Sequence, residues 1–598
     1  MPETMQLPIL GAGIDGRSKA LSAQKRQNLF MEVKPEKDKT SLAAYGTPGL
    51  KLYSQLGEYP SRGIWWYQSQ NFLYAVAYDT LYEIRGDGTT VARGKLSTTE
   101  GSVSMADNGI QLMLVDGLYG YIYQPETAAL SYSRSGTTVT VTEVLQTRKN
   151  GDTVTIDGDA NVPSGDYVIS IPAINDGSLV VGTEYVITSV GTSNFITAGA
   201  PLNEVGTVFT AINAGGSGTG TVVNVNQWQI TTTASGSATG TIKVVNNFRK
   251  ITDAYTGVNF PGANTVCFID SYFVINNPGT KQFWLSGQYD GFYWDPLMYA
   301  SKEAYTDNLS AVTVDNGCLV LVGPISQEYW QNTGAFPFPF ERIAGSPTDI
   351  GVAARFSIAR CNGRLTYLAR TRRGGLSVVQ IQNYQPQAAS TPDLDYLLSQ
   401  YANPGDAVAF SYRQNGHEFY QISFQSEGVT WLFDATTDAW SVLQSGAETR
   451  HYANRGTQYF NQMIVTDYRN GNLYVLDPQT YTDNGELIAR ELITPHFFAS
   501  SSFNKLHIYR LRLDMAQGVG LTDGQGQNPQ AMLQVSRDGG FTYGNEMWTS
   551  FGAQGEYLKR AEWRRLGVSR SYVFKFRITD PVKVILMSAA AYATEAAK

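Results

Sequence analysis

The feature that most constrains this chain is a repeated trio of short apolar strands. Each trio is a strand, a turn, a second strand and a short strand bearing Tyr or Trp. The first runs Ile64-Trp65-Trp66-Tyr67, Phe72-Leu73-Tyr74-Ala75-Val76 and Thr80-Leu81-Tyr82-Glu83-Ile84. The second occupies 103–106, 111–115 and 120–123. Five more follow within 266–286, 309–330, 355–380, 407–434 and 458–476. Apolar residues lie on both sides of strands such as 319–322, so both faces of each small sheet need cover. Radial stacking of blades supplies that cover, and the repeat predicts a β-propeller. Seven trios give six or seven blades, because one trio read from sequence can be split or merged. A β-sandwich of hairpins is the alternative architecture. The 59 Gly, 36 Tyr and 26 Phe, with no long Ala/Glu/Lys/Leu runs, fit an all-β chain either way.

The trios bound the other regions. Residues 1–60 read as an N-terminal arm, irregular to about residue 50. Gly11, Gly13, Gly16, Pro35, Pro48 and Gly49 punctuate it, and it needs another domain or subunit to pack on. The propeller is expected over 61–132 and 249–490. Between its two parts, 133–248 is rich in Thr, Val, Ser, Gly and Asn and poor in aromatics, and reads as one or two inserted small β-domains. Residues 491–598 form a C-terminal sandwich or barrel-like β-domain. There Tyr509, Leu511 and Leu513 alternate with Arg510, Arg512 and Asp514, and Tyr572, Phe574, Phe576 and Ile578 alternate with Lys575 and Arg577. A period of two means strands with one wet face.

Net charge is −7, which excludes a molecule that binds nucleic acid by broad counterion release. The C-terminal residues 501–598 run against the rest, with 13 Lys and Arg against 8 Asp and Glu, a balance of +5. Arg510, Arg512, Arg564, Arg565, Lys575 and Arg577 are the candidate docking face for an acidic partner; a solvated sheet face is the plainer reading. Cys267, Cys318 and Cys361 have no metal spacing and read as buried thiols of a reducing compartment. There is no signal-like segment and no apolar run near ~18 residues.

No catalytic, cofactor or metal set is assignable. Ser536, Asp538, Gly540 and Thr542 form one Asp-box, expected to tie a hairpin turn to its own backbone. Such boxes occur in sialidase propellers, but here it is a single copy outside the trios. His417, His451, His496 and His507 sit in no metal or nucleophile pattern. Asp157-Gly158-Asp159 begins like a calcium loop but has Val168 where a bidentate Glu is needed, so it reads as a capped turn. Gly215–Gly220 has no nucleotide-loop spacing. Arg370-Thr371-Arg372-Arg373-Gly374-Gly375 reads as a basic hairpin tip.

One ordered set of stretches carries a family resemblance. Leu7-Pro8-Ile9, Arg26-Gln27-Asn28-Leu29-Phe30 and Tyr45-Gly46-Thr47-Pro48-Gly49-Leu50 mark the first part. The run from Ser536 to Gly544, Gly555-Glu556-Tyr557, Trp563-Arg564-Arg565-Leu566-Gly567 and the stretch 572–583 mark the last. Together they resemble the packaged-DNA stabilisation proteins of short-tailed bacteriophages, over about 1–130 and 250–590. The resemblance implies a non-enzymatic virion tail hub or nozzle, assembled in the host cytoplasm. It implies a homo-oligomeric ring, expected to be hexameric, below the portal or adaptor. That ring would continue and close the channel for genomic double-stranded DNA, without sequence specificity, and carry tail spikes or fibres. A mildly acidic wall would let a duplex slide. A propeller glycosidase or sialidase and a receptor-binding fibre module are the competing functions.

Overall fold

A computed structural model of the chain describes residues 3–11, 13–15, 17–33, 42–144, 148–251, 260–499 and 504–596. Gly16 and Pro35 of the arm lie outside them. Each trio becomes three strands of an antiparallel blade, joined by a fourth, outer strand. Blade 1 is Ser61–Tyr67, Phe72–Ala77, Thr80–Ile84 and Thr90–Lys95. Blades 2 to 7 begin at Ser104, Val266, Ala311, Ala359, Val408 and Ala453. Blade 7 takes its fourth strand from Gly49–Gln55, which pairs antiparallel with Asn472–Asp477. One strand from early in the chain thus closes the ring.

Seven separate apolar cores lie between neighbouring blades, and together they explain the two-faced strands. Along Phe72–Ala77, Leu73, Ala75 and Ala77 pack with Ile464 and Leu473 of blade 7. The intervening Tyr74 and Val76 pack with Leu112 and Leu114 of blade 2. Val320 and Val322 likewise join blade 5 residues, while Leu319 and Leu321 join blade 3. A strand period of two sends alternate side chains to opposite neighbours, so a middle strand is covered on both faces and mostly apolar, with Thr366, Gln421 and Thr466 among the buried polar exceptions.

The inserted segment leaves blade 2 after Gly120–Glu126 and returns through one long strand, Ala238–Lys250. The later part of that strand is blade 2's outer strand, with Tyr121 opposite Lys250 and Glu126 opposite Val245. The expected boundary at 248 therefore cuts through a blade strand. The earlier part belongs to a first lobe, with Val139, Val141, Trp228 and Ile230 in its core. A second lobe, nested within the first, pairs Ile174–Asn175, Thr221–Asn224, Glu184–Ser189 and Val208–Thr210 around its own core of Tyr185, Ile187, Phe195 and Phe209. A buried ion pair braces the first lobe: Arg148 Nε lies 2.6 Å from Glu143, which also accepts from Trp228 Nε1 at 2.7 Å.

The C-terminal domain is a sandwich of two sheets around one core that includes Leu511, Leu513, Phe574 and Phe576. The arm is irregular over its described residues between Leu7 and Lys25, but not up to about residue 50 as expected. Glu3–Leu7, Leu29–Val33 and Leu42–Gly46 are strands of the first sheet, beside Ile585–Ala596 and Lys505–Met515. Lys25–Gln27 bridges blade 6 to the second sheet, parallel to Ala439–Leu443 and antiparallel to Arg490–Ile493. These arm strands are three to five residues long, and all but Leu29–Val33, which pairs with Leu42–Gly46, have a partner hundreds of residues away, so no local period betrays them.

Candidate docking site

The structure divides the six basic residues between the two sheets. Arg510 and Arg512 lie on Lys505–Met515, and Arg564 and Arg565 on Ala561–Ser569, which pairs with it. Lys575 and Arg577 lie on Val573–Ile578 of the other sheet. Leu511 and Leu513 meet Phe574 and Phe576 in the core, so the arginines beside the first pair and the cations beside the second face opposite ways. They are two surfaces, not one.

On the first, Glu562 gathers three arginines. Its carboxylate lies 2.9 Å from Arg564 Nε, 3.2 Å from Arg512 Nη2 and 3.8 Å from Arg510 Nη1. Partial burial works against the Glu562 charge, but hydrogen bonds from Arg564 and Arg512 and the charge of Arg510 hold its carboxyl below the usual range. Exposed Arg565 sits at a bulge with φ +61°. Four arginines thus share this face with two acids, Glu562 and Asp514. The bulge also shifts the expected alternation: Tyr509 lies outside with Arg510 rather than inside with Leu511, and its ring centre lies 4.1 Å from that of His507, tilted by 36°. On the second surface, Lys575 is 3.0 Å and Lys25 3.7 Å from Glu491, and Arg577 is 4.0 Å from Glu546. Three cations there face two acids, leaving less surplus charge.

The Asp-box is a closed turn. Ser536 Oγ donates to Asp538 at 2.7 Å and accepts from Gly540 N at 2.8 Å, and Thr542 N and Oγ1 both donate to Asp538. The bonds from Thr542 and Ser536 pull the Asp538 carboxyl down to about 2. A Cβ on Gly540 would lie 2.7 Å from that of Ala23, so the turn packs on the arm. Asp159 caps its own turn in the same way, accepting from Asn161 N and Val162 N. Cys361 is buried, whereas Cys267 and Cys318 are only half-buried, and all three thiols are free.

The propeller axis holds a cavity of about 480 Å³, walled by inner residues of all seven blades. Trp65 donates to Asp107 at 2.7 Å there, and the Arg455 guanidinium lies 5.1 Å from the Phe356 ring centre. Asp107 is the one carboxylate among its lining residues. Among the described residues no group of three His, Cys, Asp or Glu could hold a metal, and no helix is long and apolar enough to cross a membrane.

A family model described as bacteriophage P22 Gp10, β-propeller, matches residues 5–166 and 167–481, and a second, for the Gp10 β-sandwich, matches 489–594. The chain belongs to the Gp10 family. Phage P22 Gp10 is a packaged-DNA stabilisation protein and a virion tail component, and this chain is accordingly a structural protein of a bacteriophage tail. No curated protein matched the chain. Among solved structures, the computationally designed Ika8 protein is similar at 9% identity, TM-score 0.30, covering 71% of this chain and 99% of its own. The WD40 propeller domain of Doa1 follows at 8%, TM-score 0.29, with 72% and 97% covered. An exo-β-1,3-galactanase from Phanerochaete chrysosporium gives 11%, TM-score 0.22, with 55% and 95% covered.

In this Gp10-family chain, the stretches near the N-terminus that carry the resemblance build the seam between propeller and sandwich. Arg26, 3% exposed, donates from Nη2 to the Trp440 carbonyl at 2.8 Å. Asn28, at φ 54°, donates to the carbonyls of Gln444 and Ala489, both at 2.9 Å, and accepts from Gln444 N at 2.9 Å. The stretch from Tyr45 to Leu50 then crosses from sandwich to propeller. A Cβ on Gly49 would lie 2.4 Å from the Thr482 carbonyl oxygen, and one on Gly46 would lie within 2.4 Å of Arg490 Nε, so both need glycine. Sequence reading found these stretches but not their roles, and it passed over Arg490, Glu143 and Arg148. Glu143 is a lone charge among Thr and Val, but Arg148 stands beside Lys149 and Arg490 beside Glu491, so nothing local marks those two as buried.

Proposed function

We propose that this protein is the hub or nozzle of a short phage tail: a ring, expected to be hexameric, beneath the portal or its adaptor. The ring continues and closes the DNA channel, retains the packaged genome, supports ejection and carries spikes or fibres. The Gp10 match along the chain is the observation that carries the reading. The propeller's own bore supports a channel made between copies. It measures about 480 Å³, with Arg355, Phe356 and Arg455 among the side chains that line it. B-DNA, whose major groove alone is about 12 Å wide, cannot thread it. The Arg510–Arg512–Arg564–Arg565 surface is the better candidate for meeting the portal or adaptor, because it keeps the larger surplus of charge.

Native mass measurement of tails released from virions tests the ring. A mass corresponding to six copies is expected. A single copy per virion tail would overturn the reading. Free protein may not be used for this test, because a ring assembled only on the portal leaves it monomeric.

A further inference from the structure

Between propeller and sandwich lies a second cavity, of about 160 Å³. Its floor is Arg490, with Phe30, Tyr45 and Gly46 beside it; Lys583, Asn415 and Gln479 stand at its solvent side. Arg490 is only 1% exposed, yet none of its three guanidinium nitrogens has a hydrogen-bond acceptor among the described residues. A buried guanidinium left this way is costly, and its planar fork matches a carboxylate or phosphate. The Tyr481 ring centre is 6.0 Å from the guanidinium carbon. Asp483 is the acid whose charge bears on Arg490, but the two form no ion pair, and both Asp483 oxygens are likewise buried without a hydrogen-bond partner among the described residues.

The surroundings are built around this side chain. Gly46 leaves it room, since any Cβ there would strike the Arg490 Nε and lie 3.0 Å from its Cδ. Lys583 brings a second cation from the sandwich, and Gln414, Asn415 and Gln479 bring amides from the propeller. Asn415 and Gly416 turn the hairpin above it with φ of 52° and 86°, which fixes the position of the Asn415 side. A volume of this size holds about five waters, or one small oxyanion.

We propose that this seam cavity is an oxyanion site, with Arg490 as its buried fork and Lys583 as its outer cation. Its ligand is a small carboxylate or phosphate group, bound once per chain where the two domains meet. Occupancy pairs Arg490 and stiffens the join between propeller and sandwich.

The test titrates the full chain separately with inorganic phosphate and with glutarate, each against sodium chloride at equal ionic strength. Calorimetry gives stoichiometry and thermal unfolding gives the linked shift. One saturable site per chain is expected for at least one oxyanion, with a rise of several degrees in the midpoint. The phosphate and glutarate arms tell which group fills it. Arg490→Gln should abolish the saturable response. If that variant fails to fold, exposed Lys583→Gln and Gln479→Glu decide, each expected to weaken binding at least five-fold. No response beyond sodium chloride, a saturable response retained in folded Arg490→Gln, or an affinity unchanged from the parent chain in Lys583→Gln and Gln479→Glu would overturn the site.

Discussion

Two buried polar side chains do more for the fold than their residue types suggest. Asn28 uses its amide in three hydrogen bonds that join blade 6 to the sandwich, from a backbone conformation that Asn tolerates well. Asn28→Ala leaves two carbonyls and one N–H without these partners. A loss of about 2–3 kcal/mol is expected, read as a lower midpoint in denaturant unfolding. His451, beside blade 7, is buried, accepts a bond from Ala453 N at 3.2 Å, and is pushed by burial from 6.5 down to about 4. The unfolded chain takes up this proton near pH 6.5 and the folded chain only near 4. Stability from this group is therefore whole above pH 6.5 and is lost as pH falls towards 4, by up to about 3 kcal/mol. In His451→Gln, stability measured against pH should lose about one proton of slope in that window. An unchanged slope would mean that His451 does not titrate there.

At the scale of elements, the insertion is held in blade 2 by a shared strand, and this fixes where it can be removed. Glu126 and Val245 face each other in the ladder, so a two- or three-residue turn can replace 128–243. That deletion keeps Phe248, whose ring stacks on Tyr121 at 5.6 Å and covers Gly94. The expected product is soluble and unfolds in one transition. Removing 133–248 instead takes Phe248 and most of blade 2's outer strand, and uncovers the core between blades 1 and 2. Aggregation or a much lower thermal midpoint is expected there. Equal behaviour of the two deletions would show that the outer strand contributes little.

For the molecule as a whole, docking should depend on which outer face of the sandwich carries the charge. Replacing Arg510, Arg512 and Arg564 with Gln removes the surplus around Glu562 without adding carboxylates beside it. Exposed pairs are each worth about 0–1 kcal/mol, so the thermal midpoint should move little. Virions assembled with this variant should lack tails and lose DNA, scored by particle counts and nuclease-accessible DNA. Lys575→Gln with Arg577→Gln, on the opposite face, should leave attachment intact. The reverse pattern would assign docking to the other sheet, and normal particles from both variants would show that neither face is used.

The sequence alone located the seven blade centres, because a middle strand covered on both sides is apolar at most positions, as 73–77 and 319–322 are at all of theirs, even where Gln421 or Thr466 is buried among them. It also located the Asp-box turn, whose bonds span seven residues from Ser536 to Thr542. The outer blade strands were not legible: Thr90–Lys95 is at best half-buried along its length, so no position demands an apolar residue and no alternation marks it. Tertiary structure decided everything that depends on distant pairing. It chose Gly49–Gln55 to close blade 7 and placed Leu42–Gly46 beside Ile585–Ala596. It put a bulge at Tyr509 and sent the six basic side chains to opposite faces. Local pattern records whether a strand is covered; only the packed chain decides which strand, hundreds of residues away, covers it.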